Sequence, residues 1–160
     1  MKHTLYIMVG IPGSGKSHWA RAFQAANPDL GYISRDAVRA EFVKDTEAYF
    51  SHEKQVYREF THRIAYWLRE KDVIADATHN TEASRNKLVR ALAGWGLTAE
   101  DYDIVFVCMM TSIDTCVARD AERTGRAHVT ENVIKDFERW TSWPKITDYP
   151  NIKGAWVVHE

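Results

Sequence analysis

The sequence predicts an α/β fold, a three-layer sandwich built on a mostly parallel five-stranded sheet. Three observations predict it. Short apolar, β-prone runs alternate with segments of helical period along the 160 residues. The run Ile104-Val105-Phe106-Val107-Cys108-Met109-Met110 is apolar without a break, as a central parallel strand covered on both faces requires. Between the first apolar run and the first helical segment stands Gly10-Ile11-Pro12-Gly13-Ser14-Gly15-Lys16-Ser17, which fits the pattern G-x-x-x-x-G-K-[ST] in full.

Taken in order, residues 4–9 form the first strand, and residues 17–26 a helix with Trp19, Phe23 and Ala26 at helical spacing, stopped by Asn27-Pro28. Residues 30–34 read as a second strand, whose last residue, Ser34, is a natural N-cap for a short helix beginning Arg35-Asp36-Ala37-Val38-Arg39. Residues 45–53 are polar and aromatic without a period and read as a mobile connection. From about His52 to Glu70, Val56, Phe60, Ile64, Trp67 and Leu68 mark a long helix that buries one stripe. Residues 72–76 form a third strand ending in Asp76. Thr81 caps the next helix, whose Leu88, Leu92 and Ala93 face inward before Gly94 and Gly96 end it. After the fourth strand, Ser112 caps a helix to about Arg123, and a Gly-containing link at 124–129 follows. Thr130 caps a helix with Val133, Ile134, Phe137 and Trp140 inward, and residues 155–158 form a short fifth strand.

Composition narrows the class. The apolar and charged shares are those of one globular domain spanning residues 1–160, and a net charge of −1 argues against broad binding to nucleic acid or anionic membrane while leaving room for a local basic pocket. No run approaches the roughly 18 apolar residues of a membrane span, and no signal-peptide core precedes the first strand, so a cytoplasmic location is expected. Cys108 and Cys116 lack a C-x-x-C context and read as buried thiols, and the seven histidines show no metal spacing.

The glycine loop has a mechanism. Gly13 and Gly15 let the backbone around Ser14 curl so that successive N–H groups face phosphate oxygens, Lys16 reaches the β and γ phosphates, and Ser17 ligates Mg²⁺. ATP is the expected triphosphate, on a sandwich of the P-loop NTPase type. In such sheets ligands bind beyond the carboxyl ends of the strands, so residues just after each strand should share one cleft.

After strand two, Asp36 and Arg39 are three apart and share a helix face. A carboxylate beside a γ-phosphate suits a general base for an attacking hydroxyl, with Arg39 gripping an anionic group of the acceptor; alternatively, Asp36 only complements the helix dipole. After strand three, Asp76 either supports the Mg²⁺ shell or orients an arginine. After strand four, Arg119 and Arg123, with Arg126 in the link, read as an arginine-bearing lid over the triphosphate or as a solvated face paired with Asp120 and Glu122.

Asp101-Tyr102-Asp103 looks like a pair of phosphatase aspartates but precedes its strand, which puts it at the wrong end of the sheet. Trp19, Trp67 and Trp140 lie on apolar stripes and read as core, whereas Trp143 and Tyr149 in the Pro-containing loop at 141–151 are freer and could stack on a base, adenine included, which nothing in the sequence decides.

With these residues in place, the chain resembles the 5′-hydroxyl polynucleotide kinases of the bacteriophage and bacterial end-healing type over residues 2 to about 140. The likeness is carried by residues 10–17, Trp19-Ala20-Arg21, Ser34-Arg35-Asp36 with Arg39, Asp76-Ala77-Thr78, and Arg119 with Arg123. It implies that Asp36 is the general base for the 5′-OH of an RNA or DNA end and that Arg39 contacts the acceptor phosphate. It also implies that Lys16, Arg119 and Arg123 stabilise the transferring phosphoryl and its leaving group. Asp76 would support the metal or an arginine. Family members often carry a fused 3′-phosphatase or ligase, for which these residues leave no room, and His18 stands where a Thr is usual after the loop Ser. The alternatives are a kinase of a small-molecule alcohol (antibiotic, sugar or nucleotide) and, from another class, a regulatory module that uses the nucleotide as a switch.

Overall fold

The computed structural model describes residues 2–125 and 128–159; Arg126, singled out in the link above, lies outside them. The strands are β1 (His3–Val9), β2 (Gly31–Ser34), β3 (Val73–Asp76), β4 (Tyr102–Met110) and β5 (Ile152–His159). The helices are α1 (Lys16–Ala26), α2 (Arg35–Phe42), α3 (Glu53–Leu68), α4 (Glu82–Gly94), α5 (Ile113–Ala121) and α6 (Glu131–Trp140). The sheet runs in the order β2-β3-β1-β4-β5, and all its pairings are parallel. The fifth strand is eight residues long rather than a short terminal piece, because β4 supplies it with pairing from Ile104 through Met110.

Alternation along the strands builds the layers. Leu5, Ile7 and Val9 of β1 join Ile104 and Phe106 of β4 under α2, α3 and α4, packed with Val56, Phe60, Ile64, Leu88 and Leu92. Met8, Ile74, Val107 and Met109 point to the other face and meet Ala20 of α1. A third cluster joins Ile11, just before the glycines, to Cys116 and Ile134, tying α5 and α6 to the loop itself. Both cysteines are buried free thiols, and burial pushes Cys108 up to about 11.

Local chemistry sets most helix starts. Ser34, Thr81, Ser112 and Thr130 each accept an N–H from the third residue of the helix they begin. Several expectations are corrected. Trp140 is 61% exposed and Val133 is also exposed, because the apolar cluster that joins α6 to α5 and the loop takes in Ile134 and Phe137 and leaves the rest of the stripe outside it. The fifth helix stops at Ala121, two residues earlier than its pattern suggested, so Arg123 lies just beyond it. The connection at 45–52 is fastened by internal bonds: Lys44 N–H donates to Glu47 Oε1 at 3.0 Å, Glu47 N–H donates to the Lys44 carbonyl at 3.0 Å, and His52 Nε2 meets Glu47 Oε2 at 2.5 Å.

Candidate functional site

The phosphate-loop conformation needs glycine at two positions. Gly15 caps α1 with φ 92°, and Gly13 has φ 82°; a Cβ on Gly13 would also meet the Cys116 carbonyl oxygen at 2.6 Å. The second constraint is tertiary: α5 rests directly on the loop. Gly10 N–H donates to the Thr78 carbonyl at 3.0 Å, and Thr111 Oγ1 donates to the Ser14 carbonyl at 2.6 Å, so the ends of β3 and β4 hold the loop from both sides. Ser14 is fully buried, and its hydroxyl has no protein partner.

This frame leaves a cavity of about 440 Å³, within the usual range for a small-molecule site. Gly13, Gly15, Lys16 and Ser17 line one side, and Arg119 and Arg123 line the other, with His18 at its border. Arg119 Nη1 also donates to the Gly13 carbonyl at 3.2 Å. Three cations and a helix N-terminus converge on one space, which suits a polyanion. The net charge of −1 hid this concentration.

At the floor, Ser17 Oγ donates to Asp76 Oδ2 at 2.8 Å, and Tyr32 Oη donates to the same oxygen at 2.5 Å. Burial, reinforced by the Asp76 bond, pushes the Tyr32 phenol up to about 12, so it remains a donor at neutral pH. A hydroxyl and a carboxylate side by side are oxygen donors of the kind Mg²⁺ takes when phosphate oxygens and water fill its other positions. The donor set therefore fits that ion, although no group of three or more His, Cys, Asp or Glu among the described residues forms a protein-only metal cage.

Asp36 and Arg39 form a second cluster. In the β2–β3 register Ser34 pairs with Asp76, so α2 starts immediately beside the floor carboxylate. Asp36 is 77% exposed at its side chain, and its Oδ1 accepts from Arg39 Nη1 at 2.5 Å and from Tyr49 Oη at 3.2 Å. Arg39 is only 5% exposed: Nε and Nη2 donate to Glu53 at 2.5 and 3.2 Å, while Nη1 serves Asp36 and Tyr49. Burial works against the Arg39 charge, but the bonds to Glu53 and Tyr49 outweigh it and hold the guanidinium above its usual range. Burial likewise opposes the Glu53 charge, and Arg39 and then Arg35 override it and pull the carboxyl below its usual range.

Glu53, Tyr49 and Tyr32 were missed in the sequence. They carry no motif, and Tyr49 lay in the segment read as mobile. Tyr149 is not free to stack on a ligand, since its hydroxyl donates to Asn86 Oδ1 and its ring packs toward Phe106. Asp103 sits at the start of β4 with Lys153 at 2.9 Å, away from the Met110 end that reaches the phosphate loop.

The family profile AAA_33, an AAA domain, matches residues 5–144. The chain belongs to the AAA_33 family. No curated protein matches the sequence significantly. Among solved structures, this AAA_33 domain is similar to a chain of the Pnkp1/Rnl/Hen1 RNA repair complex, with 25% identity and a TM-score of 0.73, covering 87% of this chain and 44% of that one. A putative kinase from Chloroflexus aurantiacus is 15% identical with a TM-score of 0.72, covering 99% of this chain and 85% of that one. A fungal RNA kinase is 13% identical with a TM-score of 0.67, covering 99% of this chain and 38% of that one. The AAA_33 domain thus has a P-loop kinase fold and spans less than half the length of the RNA repair chain. Among the described residues no helix is long and apolar enough to cross a membrane.

Proposed function

We propose that the protein is an ATP- and Mg²⁺-dependent kinase that moves the γ-phosphoryl to the 5′-OH of an RNA or DNA end. The observation that carries this reading is the exposed Asp36 carboxylate, clamped by Arg39 and Tyr49 on a helix that starts beside Asp76, the carboxylate bonded to Ser17 of a cavity lined by Lys16, Arg119 and Arg123. The likeness to a chain of an RNA repair complex supports the choice of acceptor.

In this reading Asp36 takes the proton from the 5′-OH as its oxygen bonds to the γ-phosphorus, and the bond to the β-phosphate oxygen breaks to release ADP. Arg39, itself held by Glu53, fixes the Asp36 carboxylate in place. Lys16, Arg119 and Arg123 meet the charge that builds on the transferring and leaving oxygens, while the backbone N–H groups of Gly13, Gly15, Lys16 and Ser17, which line the cavity, cradle the phosphates. Ser17 would hold Mg²⁺, with Asp76 bonded behind it, and the ion would supply positive charge against the triphosphate.

Incubation with γ-labelled ATP and 5′-OH oligonucleotides tests the reading, and label on the oligonucleotide is the expected result. Asp36→Asn should keep ATP affinity while transfer falls about 10²-fold. Unchanged turnover in that variant would favour a nucleotide switch. The net charge of −1 gives a small-molecule acceptor some support. An oligonucleotide should bind less tightly as salt rises, with a shallow slope, whereas a neutral small acceptor should be indifferent.

A further inference from the structure

Beside Tyr49 lies Phe50, which neither the motif nor the mechanism above uses. The residue is 67% exposed. That exposure is not the looseness of a surface side chain. The Arg39 guanidinium lies over the ring at 5.1 Å from its centroid, and the Tyr49 ring meets it edge-on at 4.9 Å and 76°. The segment beneath is closed by the bonds between Lys44, Glu47 and His52 and by Ser51 N–H donating to the Ala48 carbonyl at 3.0 Å. Phe50, Arg39, Tyr49 and Asp36 therefore make one contiguous block, with a held aromatic face at one side and the exposed carboxylate at the other.

We propose that Phe50 is the stacking platform for the nucleobase of the nucleotide whose hydroxyl Asp36 faces; this rests on the kinase reading. A cation against a ring of a residue that stays two-thirds exposed favours a flat π partner, and a nucleobase is the π partner that accompanies a 5′-hydroxyl. A held ring loses little freedom on binding, so the contact energy is retained as affinity. Phe50 has no hydrogen-bonding group and reads only the π face. The platform accepts all four bases and sets aside acceptors that have none.

The test compares the KM for a 5′-OH oligonucleotide with that for the same oligonucleotide carrying an abasic terminal residue, in the wild type, Phe50→Ala and Phe50→Trp. The wild type should favour the base-bearing acceptor about tenfold in KM. Phe50→Ala should erase that preference with kcat nearly unchanged, and Phe50→Trp should keep it. Transfer to both acceptors with equal KM in the wild type overturns the platform while leaving the kinase reading intact, as does a Phe50→Ala variant that shifts both acceptors alike. No transfer to any oligonucleotide overturns both. A mononucleoside phosphorylated with the same dependence on Phe50 supports the platform and identifies a free nucleoside as its source.

Discussion

His79 shows how far a single residue can be set by its surroundings. It follows Asp76 in the crossing from β3 to α4, with φ 43° and 4% exposure; its Nδ1 lies 3.2 Å from the Met8 carbonyl and its Nε2 has no protein partner. Burial pushes its pKa down to about 4, and the charges of Arg35, Lys16 and Arg85 act in the same direction against the Met8 bond. The folded ring is neutral, and the Met8 carbonyl accepts the Nδ1 proton. Below pH 6.5 the unfolded chain gains a proton that the fold refuses, so stability is whole above about 6.5 and is lost as pH falls toward 4. Unfolding in urea should lose about 2 kcal/mol between pH 7 and pH 5. In His79→Asn, a side chain that tolerates positive φ, that slope should flatten. Lys16 and Ser17 were legible because the motif is local. Glu53 was not, since it reaches Arg39 across 14 positions with no period or spacing to announce the pair.

At the scale of elements, the start of α6 depends on a residue of α5 that looked like a surface charge. Asp120 of α5 is turned inward, where its two oxygens accept Val129 N–H at 2.8 Å and Thr130 N–H at 3.0 Å. Burial alone would raise its pKa, but those two N–H bonds lower it. They also hold Thr130 at φ 100°, a conformation that a β-branched residue does not keep unaided, and so fix where α6 starts. Asp120→Ala leaves both amides without their acceptor. It should cost about 2 kcal/mol in thermal unfolding. The ATP dissociation constant should rise with it, because Arg119 sits one residue away on the same helix and lines the cavity. Helix starts were readable from Ser34, Thr81, Ser112 and Thr130 because a cap bonds within three residues. The inward turn of Asp120 was not readable, since its partners lie across the link to α6. The apolar stripe of α6 was overread for a related reason: periodicity reports which face is buried but not how wide the neighbour is.

For the whole molecule, alternation of strands and helices was enough to give the layers, and the strand-end rule was enough to point to a cleft. Strand order was not contained in either. The order β2-β3-β1-β4-β5 sets Tyr32 beside Asp76 and sets α2 beside the floor of the phosphate site. The same order has a consequence for how the protein assembles. β1 is the first strand in the chain and the middle one in the sheet, yet Leu5 pairs with Val73 on one side and with Ile104 on the other. The glycine loop is likewise pinned by Thr78 and Thr111. Early in folding the motif is therefore a loose strand end, and it acquires its shape only after distant segments have come together. A ligand of that loop has little to hold in the transition state. Stopped-flow tryptophan fluorescence should find that ATP leaves the refolding rate unchanged while slowing unfolding in proportion to its occupancy.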